Sequence, residues 1–127
     1  MTRAPLLGGV LLGGCFFAAT PHKNEAVAHA GRAHWRARVT AATFDGKLVE
    51  IALGPRISIE IASCYAHAQQ KVGDHDHVRI RLDGHDATSG ELDITDCLTT
   101  HVIGTLDAHF ADGTRVEAEL DTDLAKP

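Results

Sequence analysis

The sequence predicts an all-β chain of about seven antiparallel strands in a small sandwich or barrel, preceded by an N-terminal signal segment. Three observations carry this reading. Apolar residues alternate at period two through most of the chain, the pattern of half-buried strands. Asp-Gly and Gly-Pro turn signals recur at short intervals. No stretch after the opening segment shows a sustained helical period; the segment from Tyr65 to Asp74 has room for a helical turn at most. Roughly a hundred residues follow the opening, enough for one domain with its own core.

The opening comes first. Residues 1–15 read as an export signal: Arg3 and the amino terminus supply the charge, Leu6 to Gly14 the apolar stretch. Leu12-Gly13-Gly14-Cys15 resembles the lipobox of bacterial lipoproteins, in which cleavage before the cysteine exposes it for acylation. The resemblance implies that Cys15 is lipidated. A second processing reading stays open, because Ala26-Val27-Ala28 and Ala28-His29-Ala30 also satisfy the small-x-small rule. Cleavage after Ala28 or Ala30 would discard Cys15 and release a soluble protein. A permanent span is disfavoured, since it needs ~20 apolar residues and this run is shorter and Gly-rich.

The predicted organisation is a flexible tether over residues 16–32, one β domain over 33–122 and a polar tail over 123–127. Strands are expected at 34–43, 47–53, 56–64, 76–83, 91–97, 103–110 and 114–121, with Gly54-Pro55 as a tight corner. Parity fixes two hairpins. At the first, a three-residue Phe44-Asp45-Gly46 loop pairs Ala41 with Val49 and Val39 with Ile51, aligning their apolar faces. At the second, Ala111-Asp112-Gly113 pairs Ala108 with Val116 and Leu106 with Ala118. Such loops place glycine in the left-handed region at their third position. Both sites read Asp-Gly-x-x-Val-Glu-x-x-Leu, at 45–53 and 112–120.

There are three cysteines. With Cys15 lipidated or removed, Cys64 and Cys97 form an even pair in an oxidising compartment, which favours a disulfide. The chain-entropy model gives such a bridge ~3–4 kcal/mol. Both fall on the polar parity of their strands, so the bridge is expected at strand ends or on an outer face.

Gly90-Glu-Leu-Asp-Ile-Thr95, Gly104-Thr-Leu-Asp-Ala-His-Phe110 and Asp112-Gly-Thr-Arg-Val116 together resemble a pattern of uncharacterised small secreted bacterial lipoproteins. Leu106 stands where that pattern usually has Phe. The resemblance implies an exported β domain and no known activity.

Nine histidines raise the question of a metal. His75 and His77 share one face of an expected strand, a spacing that can present two imidazoles to zinc or copper. His85 and His67 in flanking loops are the candidate further ligands. Arg79 and Arg81 share that face and oppose a cation, so only weak zinc or copper binding is expected, and otherwise no cofactor. Cleavage after Ala28 would instead leave His29 as a terminal chelator. That arrangement, with Asp83-Gly84-His85, resembles periplasmic copper carriers of the copper-resistance family. Here two or three strands follow the motif, where the family has it near the end.

Other chemistry has little footing. The net charge of −5 and scattered basic residues argue against nucleic acid. Ser58, Ser63 and Ser89 lack a Gly-x-Ser-x-Gly context. No catalytic residue is assigned. His101 and His109 read as polar-face residues, Trp35 as core and Tyr65 as a loop edge. The expectation is a lipid-anchored protein of the bacterial envelope, or a periplasmic or extracellular one. Its small β domain would bind an unidentified protein or small ligand, or serve a structural role. The alternative is a periplasmic copper- or zinc-binding protein.

Overall fold

The computed structural model describes residues 20–62, 68–72, 78–98 and 100–127, with the side chains of 68–71 excluded. Among these the chain is all-β. Nine strands have four or more residues and a tenth has two: β1 (Glu25–Ala30), β2 (Ala33–Phe44), β3 (Val49–Leu53), β4 (Ile57–Ile61), β5 (Ala68–Lys71), β6 (Val78–Leu82), β7 (His85–Asp86), β8 (Ser89–Cys97), β9 (His101–His109) and β10 (Arg115–Asp123). They form a six-stranded ladder, β1-β2-β3-β4-β6-β7, and a four-stranded ladder, β10-β9-β8-β5. Every strand-to-strand register within them is antiparallel.

The core follows from alternation. Val49, Ile51 and Leu53 on β3, Ile57, Ile59 and Ile61 on β4, and Val78, Ile80 and Leu82 on β6 all point inward. Leu92 and Ile94 on β8, Leu106 and Ala108 on β9, and Val116, Ala118 and Leu120 on β10 complete the same hydrophobic cluster. Each fully buried aliphatic side chain there contributes roughly 1.5–3 kcal/mol.

All seven expected strands are present where they are described, with ends shifted by a few residues. Three elements were not expected. The first is β1, which lies inside the segment read as a flexible tether, and this corrects that reading for residues 25–30. It pairs with β2 through a two-residue Gly31-Arg32 turn, with Gly31 at φ 62°. Ala26, Val27 and Ala28 are all fully buried. A strand covered on both faces loses the period-two signal, and here its small residues imitate a cleavage site. The second is β5, within the stretch allowed a helical turn. The third is β7, reached through Asp83-Gly84.

Two strand edges meet at a seam. Lys23 makes a parallel bridge with Glu119. Asn24 donates its side-chain amide to the Asp121 carbonyl and accepts from the Asp121 N–H, both at 2.7 Å. The tail is tied down too: Ala125 bridges Thr43, and Leu124 is buried.

The second hairpin has the expected register, with Ala108 opposite Val116 and Leu106 opposite Ala118. The first does not. Phe44 pairs with Val49, Ala42 with Ile51 and Val39 with Leu53, around a four-residue Asp45–Leu48 loop. The parity argument assumed an unbroken ladder. In fact Thr40 is an extra residue between Val39 and Ala41, a β-bulge that lets Val39 and Ala42 both turn toward the core. A matching bulge places Thr95 between Ile94 and Asp96, opposite Ile103 and Gly104. It brings Cys97 opposite the buried Val102, so Cys97 packs against the core. That corrects the polar-face reading of Cys97, although its place at a strand end stands.

Candidate binding cleft

The registers sort the loops into two poles. At one lie the Gly31-Arg32, Gly54–Arg56, Asp83-Gly84 and Ala111–Gly113 turns. At the other lie the Asp45–Leu48 loop, Leu98 and Thr100, and the C-terminal segment.

The first pole carries a cleft of about 330 Å³ lined by Leu82, Asp83, His85, Asp86, Phe110, Ala111 and Asp112. Its shape has a local cause. Asp83 (φ 52°) and Gly84 (φ 82°) form a two-residue turn with both φ values positive, and Leu82 pairs with His85 across it. This is the hairpin turn whose twist matches the strands, and Asp-Gly is a preferred sequence for it. The Asp-Gly-His sequence is therefore accounted for by chain reversal.

The carboxylates around the cleft are engaged. Arg56 donates to both Asp83 oxygens, at 2.8 and 2.6 Å, and its guanidinium lies 4.2 Å from the Trp35 ring centroid. The Arg56 hydrogen bond holds the Asp83 carboxyl below its ordinary range. Asp86 is paired with Arg81 at 3.1 Å and Arg79 at 3.7 Å. Asp112 accepts the Thr114 N–H at 2.9 Å, which lowers its pKa, with a smaller contribution from His85. The result is an apolar floor of Leu82 and Phe110 under a rim of paired charges. Such a surface suits recognition of a small group with both apolar and polar atoms.

A second polar surface runs across β1, β10 and β9. His29 meets Glu117 at 3.2 Å, Glu117 meets Arg115 at 3.2 Å, and Arg115 holds both oxygens of Asp107. His109 lies 3.5 Å from Asp107. His101 sits between two carboxylates, with Nε2 2.5 Å from Asp121 and Nδ1 2.7 Å from Asp123. The Asp121 bond, then the Asp123 bond, push its pKa up.

Of the residues singled out in the sequence, Cys15, Cys64, Tyr65, His67, His75 and His77 lie outside the described residues. His85 lines the cleft, and Cys97 is half-buried at the end of β8. Trp35 packs against the core, and His101 and His109 sit on the polar side of β9. Among the described residues no group of three or more His, Cys, Asp or Glu is arranged to hold a metal ion. The Arg56–Asp83 pair and its Trp35 stack were not anticipated, because nothing in the sequence spacing links residues 35, 56 and 83. No protein-family model matches this chain, and no curated protein and no solved structure is detectably similar to it.

Proposed function

We propose that the chain is an envelope lipoprotein, anchored through Cys15, whose β domain has a binding or structural role. One observation carries the choice of processing site. The fold includes Ala26, Val27 and Ala28 as fully buried residues of a strand joining both ladders. Cleavage after Ala28 or Ala30 would cut that strand away. Cleavage before Cys15 leaves it whole, with a short linker ahead of it. The same argument weighs against a copper carrier beginning at His29, whose backbone pairs with His34 inside the β1–β2 hairpin.

A Cys64–Cys97 disulfide belongs to this proposal. Cys97 has a partner beyond the contacts described above. It sits at the pole where β4 ends at Ile61, three residues before Cys64. The cleft at the opposite pole is the proposed recognition surface.

The test is intact mass of the mature protein from its membrane fraction, with fatty-acid labelling of Cys15→Ser beside wild type. The expected wild-type mass is that of a chain starting at an acylated Cys15, two hydrogens short of the fully reduced form. The variant is expected to stay unprocessed and unlabelled. A soluble chain starting at His29 or Gly31 would overturn the proposal.

A further inference from the structure

We propose that the outer edge of β2, from Ala33 to Ala37, is a docking site for an extended acidic peptide segment, which adds to the sheet as a further strand. The site uses none of the residues that line the cleft and does not depend on the lipid anchor.

The backbone is the first argument. β1 pairs with β2 from Glu25–Arg38 to Ala30–Ala33. Successive residues of a strand aim their N–H and C=O groups at opposite sides. The Arg38 carbonyl accepts the Gly54 N–H at 2.9 Å, on the side away from β1, and the next residue, Val39, donates to Asn24 on the β1 side. Counting back from Arg38, Arg36 and His34 share its orientation. The β3 ladder with β2 ends at Val39–Leu53 and does not reach them. Among the described residues no backbone group pairs with theirs on this side. Two N–H and two C=O groups therefore stand at strand spacing, the template that an incoming strand completes.

The side chains are the second argument. Arg32, His34, Arg36 and Arg38 recur at every second position, so they share one face, and all four are exposed. No acidic residue interrupts residues 31–39, in a chain whose net charge is −5. Arg36 is paired with Glu25. Arg32, His34 and Arg38 have no ion pair among the described residues. The other face of the same edge carries Ala33, Trp35 and Ala37. An added strand thus meets basic groups on one face and apolar ones on the other, which fits alternating acidic and apolar residues. The same basic groups decide against a second copy of this chain. In an antiparallel β2–β2 pair the edge-facing residues lie opposite one another, and each register within this edge sets basic residue against basic residue. Like charges directly opposite destabilise a sheet, whereas opposite charges stabilise it.

The probe is acetyl-Thr-Val-Glu-Val-Glu-Val-Thr-amide, titrated into the full chain at low ionic strength. Trp35, the single tryptophan, stands between His34 and Arg36 and reports binding through its emission. Saturable binding is expected. Arg32→Glu/His34→Glu, its folding checked by circular dichroism, should weaken that binding severalfold. A second arm keeps the wild-type chain. Glutamates set opposite His34 and Arg36 aim their own N–H groups at β2. N-methylation of the two glutamate amides should therefore abolish binding, and N-methylation of the valine amides should leave most of it. No saturable binding to the wild-type chain, or unchanged binding in the double variant, would overturn the inference. So would equal binding of the two methylated peptides, which would mean that charge alone attracts, as for a nucleic acid or a polysaccharide. A wild-type chain that cross-links to a second copy through β2 would overturn it as well.

Discussion

The two hairpins of this domain share nine positions of sequence pattern and are built differently. β9 and β10 pair without interruption from His101–Asp123 to His109–Arg115, and a three-residue loop closes them. β2 and β3 close through four residues, and their ladder skips Thr40. The Asp-Gly-x-x-Val-Glu-x-x-Leu string therefore does not determine register. The loop aspartates show how the loops diverge. Asp45 accepts two backbone N–H groups, from Lys47 and Leu48, each at 2.8 Å. Asp112 takes both its bonds from one residue, the N–H and the hydroxyl of Thr114. The strand entering the first loop carries a residue that the regular ladder cannot use, and the bulge absorbs it.

The sharpest way to break this comparison is deletion. Thr40 is surplus to its ladder, so removing it restores regular pairing and keeps Val39 opposite Leu53. Thr105 is a regular member of β9, and removing it turns one side of the strand inside out. Thr105 deletion is expected to abolish folding, a loss of more than about 4 kcal/mol. Thr40 deletion should leave a cooperative thermal transition by circular dichroism. Equal damage from both deletions would mean the bulge is required.

Glycine substitutions give the next largest effect. A Cβ on Gly104 would lie 2.6 Å from the Asp93 carbonyl oxygen, so Gly104→Ala forces two backbones apart. It should cost about 1–3 kcal/mol. Gly46 and Gly113 have φ of 98° and 91° with open space around them. Alanine at either carries only the left-handed penalty, roughly 1 kcal/mol, or about 4–8 °C in Tm. Matching values for these two would show that the loops differ in length but not in their demand on glycine.

The loop aspartates sharpen the comparison through pH. Backbone hydrogen bonds from Leu48 and Lys47 lower the Asp45 pKa, and the Thr114 bond lowers that of Asp112. A carboxyl with a depressed folded-state pKa stabilises fully above its unfolded value, about 3.9. That stability is lost as pH falls through the lower folded value. Each aspartate accepts two loop hydrogen bonds, so Asp45→Ala and Asp112→Ala should lower Tm by similar amounts at neutral pH. Both deficits should shrink in melts run from roughly pH 5 down to roughly pH 2, about one unit above and about two units below the ordinary carboxyl value.

The smallest effect is expected where the second hairpin ends, at His101. Its raised pKa has the opposite sign: stability is present below the unfolded value, about 6.5, and lost as pH rises through the folded value. The site is partly exposed, so salt should screen it. His101→Gln is expected to reduce Tm slightly at pH 5 and hardly at all at pH 9, roughly either side of the imidazole range.

Sequence legibility follows the same division. Where one face is buried and the ladder is regular, alternation located the strands and fixed the β9–β10 register. Two threonine bulges defeated parity elsewhere, because an extra residue shifts the phase without a compositional mark. Both are exposed, and both donate Oγ1 to a partner-strand carbonyl, Thr40 to Ala52 and Thr95 to Ile103. β1 was unreadable for the reverse reason: with both faces covered it has no phase to read. The cleft was partly legible, since Asp83-Gly84 marks a turn, but its Arg56 and Trp35 supports come from distant sequence.

The seam between β1 and β10 also bears on how the chain assembles. Asn24 and Asp121 are 97 positions apart, yet they complete each other's hydrogen bonds. A chain emerging from its N-terminus can form the β1–β2 hairpin at once, leaving the outer edge of β1 open until the last strand arrives. Contacts of such long sequence separation slow folding, and an open strand edge invites pairing with other chains. Vectorial synthesis or threading therefore ends with the step that closes this domain.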